Sequence, residues 1–85
     1  MKIYTETELK NFEFWSGGAD KANHLSDDEL DIFEAILDSE LYPNGIDATN
    51  LNDLFWFEFS FVCESLGLDE DEVLDRPIFR ERRQQ

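Results

Sequence analysis

The sequence predicts a small all-α domain, a single bundle of three to five short helices. Three observations support this. Residues 51–66 gather four of the eight phenylalanines and one of the two tryptophans, and Leu51, Leu54, Phe55, Phe59, Val62 and Leu66 share one helical face. Ser26 with Glu29, and Asp69 with Glu72, have the spacing of capping boxes, which mark helix starts. Finally, Ser16-Gly17-Gly18, Tyr42-Pro43-Asn44-Gly45, Gly67 and Arg76-Pro77 punctuate the chain into short pieces at helix ends and turns.

Taken in order, residues 2–4 are a candidate N-terminal strand or extended arm. Thr5 with Glu8 is a further capping pattern, so a helix is expected from Thr5, burying Leu9 and Phe12. The glycine pair Gly17-Gly18 is expected to be a helix end or a turn, with a short helical turn over 19–23. Ser26 opens the best-defined helix. Asp27, Asp28 and Glu29 complement its dipole, and Leu30, Phe33, Ile36, Leu37 and Leu41 recur at helical spacing until the Tyr42-Pro43 turn. Thr49 or Asn50 is the expected cap of the next helix. In that helix Phe55, Phe57, Phe59 and Phe61 also alternate as a strand would; length and capping favour helix, broken near Ser60 into two pieces. Gly67 suits a left-handed C-terminal position. Asp69 then opens a short helix that Arg76-Pro77 stops, because proline disfavours helical geometry in the residue before it. The expected organisation is one acidic helical domain over 1–79 and a basic tail over 80–85.

Charge is the strongest compositional signal. Twenty-one Asp and Glu face seven Lys and Arg, a net charge of −14. No lysine or arginine lies between Lys21 and Arg76. A body this negative repels nucleic acid and attracts basic protein surfaces, the attraction weakening with salt. The single cysteine, Cys63, excludes an internal disulfide. No signal peptide or apolar run of about 20 residues is visible, so a cytoplasmic protein without a membrane span is expected.

No catalytic signature emerges. His24 and Cys63 are each the sole residue of their type, and two isolated residues do not make a nucleophile–base pair. Cys63 reads as a small core residue. Asp69-Glu70-Asp71-Glu72 has oxygen ligands for a hard cation but lacks the glycine and later glutamate of a calcium loop, and no Cys/His set exists for zinc. No metal or other cofactor is expected. Residues 62–74 have the rhythm of a helix-turn-helix, yet the second helix offers Asp69, Glu70, Asp71, Glu72 and Asp75 where a DNA reader needs basic and amide side chains. Direct nucleic-acid binding is not expected.

The remaining pattern is an acidic stripe. Asp27, Asp31, Glu34 and Asp38 fall within about 60° of arc on one helix face, with neighbouring carboxylates ~5–6 Å apart. One reading is a solvated face that keeps the domain soluble. The sharper one is a surface that imitates the phosphate row of a nucleic acid, whose strand charges repeat every ~3.4 Å. Asp69, Glu70, Asp71, Glu72 and Asp75 form a second acidic patch. Trp56 and Phe57 lie off the principal apolar face and are candidate exposed contacts.

Phe12-Glu13-Phe14-Trp15-Ser16-Gly17-Gly18, paired with Leu51-Asn52-Asp53-Leu54-Phe55-Trp56-Phe57-Glu58, resembles a group of small acidic proteins encoded in prophages and mobile elements of Gram-positive bacteria. The resemblance spans roughly residues 3–75, including the acidic helix and the tyrosine-proline turn. It implies a genomic setting and no catalytic residue. In size and charge the chain is similar to phage inhibitors of CRISPR effectors and restriction enzymes, several of which are nucleic-acid mimics. The expected function is therefore a non-enzymatic inhibitor of a basic, nucleic-acid-handling host protein such as a CRISPR effector or restriction enzyme. The alternative is an adaptor or assembly module that uses an aromatic patch.

Overall fold

The computed structural model describes residues 8–78. The candidate strand at 2–4, the helix start at Thr5 and the tail at 80–85 lie outside the described residues. Within them the chain is all-α: α1 (Ser16–Ala22), α2 (Asp27–Ile36), α3 (Ala48–Phe57), α4 (Phe59–Ser65) and α5 (Glu70–Asp75). A single 3₁₀ turn, Leu9–Asn11, precedes α1, and a π-helical turn, Leu37–Leu41, extends α2. No strand occurs among the described residues, so the alternation of the central phenylalanines is not realised as one.

The core is one cluster. Phe14, Phe33, Phe55 and Phe59 are fully buried with Leu9, Leu25, Leu30, Leu37, Leu51, Val62 and Val73. Phe55 is its hub, with ring centroids 4.7 Å from Phe14, 5.6 Å from Phe33 and 6.4 Å from Phe59. Each such ring contributes about 1.5–3 kcal/mol by leaving water.

Local chemistry accounts for most boundaries. Ser26 Oγ accepts from the Glu29 amide while Glu29 Oε1 accepts from the Ser26 amide, a complete capping box. Asp69 accepts from the Glu72 amide at 3.1 Å and caps α5. After the π turn, the Gly45 amide bonds the Tyr42 carbonyl at 2.9 Å, closing a turn with Pro43 second and Gly45 fourth. Helix α4 ends in a Schellman motif. Gly67 has φ 73°, its amide reaches the Glu64 carbonyl, and the Leu68 amide reaches the Cys63 carbonyl. Arg76 is extended, as a residue before proline prefers.

Two expectations are corrected. Gly17 and Gly18 do not end a helix; they lie in the first turn of α1. The cap position of α3 is Asp47, not Thr49 or Asn50, and its side chain makes no capping bond. The aromatic stretch is broken into two helices near Ser60 as expected, at Glu58 (φ −122°, ψ 34°). Among the described residues no helix is long and apolar enough to cross a membrane.

Candidate partner-binding surfaces

The two aromatic segments singled out by their pairing meet in space, and their meeting is a packing device. The Trp15 amide donates to Asn52 Oδ1 at 2.9 Å. Asn52 is fully buried on α3, and a Cβ at Gly18 would collide with its carboxamide. A Cβ at Gly17 would collide with the Trp56 indole. The glycine pair thus lets α1 lie directly on α3, side chain against bare backbone. Ser16 enters α1 at φ 52°, a left-handed conformation uncommon outside glycine. Asn52 escaped the sequence reading because one amide inside an aromatic run has no periodic signal.

The acidic stripe is partly engaged by the N-terminal segment. Asp27 and Asp31 are exposed, whereas Glu34 and Asp38 are half-buried. Glu34 Oε1 accepts from the Leu9 amide at 3.0 Å, and Lys10 Nζ lies 3.7 Å from Asp31 Oδ2. Two of the four carboxylates therefore help seat the 3₁₀ turn on α2. The second patch has a different character. On α5, Asp71, Glu72 and Asp75 are exposed and Glu70 is half-buried, while Asp69, the cap before the helix, is exposed with one oxygen in its capping bond. Among the described residues no cluster of three or more His, Cys, Asp or Glu has the arrangement of a metal site.

Arg76 clasps the body. Its guanidinium bonds both oxygens of Glu29, at 2.7 and 3.0 Å, and reaches the His24 carbonyl at 3.3 Å. His24 Nδ1 lies 3.0 Å from the Arg76 carbonyl, which makes that nitrogen the donor. The hydrogen bond from Arg76 holds the Glu29 carboxyl below the usual carboxylate range, against the opposing effect of burial. Cys63 is buried in the core, and desolvation pushes its thiol up to about 11. A thiol so placed is a poor nucleophile near neutral pH.

Trp56 and Phe57 form an outward ledge. Their rings stack at 4.7 Å, only 10° from parallel, and Phe57 keeps 66% of its surface in solvent. Lys21 Nζ sits 3.5 Å from the Trp56 carbonyl and 5.6 Å from the Phe59 ring centroid.

The described residues carry 19 carboxylates against three cations, Lys10, Lys21 and Arg76. Each of those cations has a contact within the domain: Asp31, the Trp56 carbonyl and Glu29, respectively. No family model, curated protein or solved structure matches the chain.

Proposed function

We propose that the protein is a non-enzymatic acidic inhibitor that occupies the nucleic-acid-binding surface of a basic host protein. Its most specific form is a phage-type anti-CRISPR or anti-restriction mimic acting in the bacterial cytoplasm. One observation carries the reading. All three cations of the described residues are drawn into contacts within the domain, so the 19 carboxylates of those residues give them a predominantly negative exterior. Such a field accelerates encounter with a basic groove and favours occupancy of it. The α5 carboxylates Asp71, Glu72 and Asp75 are the foremost contacts, and Asp27 and Asp31 are further exposed carboxylates on α2.

The test is capture of a nucleic-acid-binding protein that moderate salt releases and that DNA or RNA displaces. A second reading, an adaptor docking through an apolar patch, is favoured by the exposure of Phe57. It requires binding that tolerates salt, ignores nucleic acid and fails on substitution of Trp56 or Phe57.

A further inference from the structure

The geometry points to the Trp56–Phe57 stack as a seat for an arginine side chain of the basic partner, an inference that rests on the reading above. A ring stacked on one side and 66% exposed presents its other face to water. That face carries the negative side of the ring quadrupole, and a guanidinium is the side chain that lies flat against it. The surroundings are acidic. Asp53 stands one helical turn before Phe57 on α3, and exposed Glu58 follows it at the helix break. The nearby cation, Lys21, is already directed at the Trp56 carbonyl.

Charge also narrows the occupant. A second copy of the chain brings another −14, and an anionic membrane surface repels the same field. An arginine satisfies both halves of the site, its plane on the ring and its N–H groups toward carboxylates, where a lysine ammonium offers only a point charge. The aromatic ledge then serves the same basic partner as the acidic surface rather than a rival one.

Calorimetric titration with hexa-arginine and hexalysine at one ionic strength tests this on the full chain. Phe57→Ala is expected to weaken hexa-arginine by about two- to fivefold, the worth of an exposed cation–π contact, and hexalysine by less. Phe57→Tyr, which keeps the ring, retains wild-type affinity for both. Circular dichroism confirms that each variant is folded. An unchanged hexa-arginine affinity in Phe57→Ala, or an equal loss for both peptides, overturns the arginine seat and leaves the acidic reading standing. Failure of wild-type protein to bind either peptide overturns both.

Discussion

The Trp15 amide donates to Asn52 Oδ1 at 2.9 Å across 37 residues, and Gly18 lies against the same carboxamide. This contact holds α1 on α3. Gly18→Ala must displace a buried side chain with nowhere to go, so it is expected to destabilise by about 1–3 kcal/mol despite alanine's better helix propensity. Gly17→Ala meets the half-exposed Trp56 indole, which can swing aside, and is expected to cost less while changing tryptophan fluorescence. Urea denaturation and emission spectra of the two variants check both outcomes. A neutral Gly18→Ala contradicts the packing account.

Glu34 belongs to the acidic stripe yet accepts from the Leu9 amide. Glu34→Ala is expected to lose about 1–2 kcal/mol, and Glu34→Gln, which keeps the acceptor oxygen, to recover most of it. Chemical denaturation separates the two. Equal losses in both variants would make the carboxylate charge, and not the hydrogen bond, the stabilising element.

The Glu29–Arg76 clasp makes a pH-dependent contribution. The Glu29 pKa is lower in the folded protein than its ordinary 4.5. Its stabilisation is therefore fully present above about pH 4.5 and is lost as pH falls through the depressed value. The stability difference between wild type and Arg76→Gln should be constant near neutrality and shrink on acidification. Comparing the two proteins cancels the general relief of charge repulsion that acid brings to both. A difference independent of pH down to pH 2 contradicts the clasp.

Cys63 provides a reporter of opening. Burial raises its thiol to about 11, so alkylation at pH 8 should be slow in the native protein and fast in denaturant. Mass spectrometry reads the rate. Rapid native labelling would place the thiol at the surface.

The helices were legible where local chemistry speaks. The Ser26 capping box, the Gly67 Schellman end and the Arg76-Pro77 stop all follow from adjacent side chains. The glycine pair was not, because Gly17 and Gly18 read as a turn until Asn52 and Trp56 are brought against them. The stripe of Asp27, Asp31, Glu34 and Asp38 was legible as a helical face. The cover that Leu9 and Lys10 lay over part of it was not, since it comes from a segment 21 to 25 residues away. The sequence also left open whether the C-terminal arginines pair with the body. Arg76 does so with Glu29, across a separation that no local pattern encodes.

The most direct measurement is a pull-down from bacterial lysate at low salt, eluted by a salt gradient and repeated with excess DNA or RNA. Wild-type protein runs beside an Asp71→Asn, Glu72→Gln, Asp75→Asn variant shown to be folded. A nucleic-acid-binding protein that moderate salt releases, that nucleic acid displaces, and that the neutralised variant holds less well is the predicted result. A partner retained at high salt, indifferent to nucleic acid and equally bound by the variant would contradict the account.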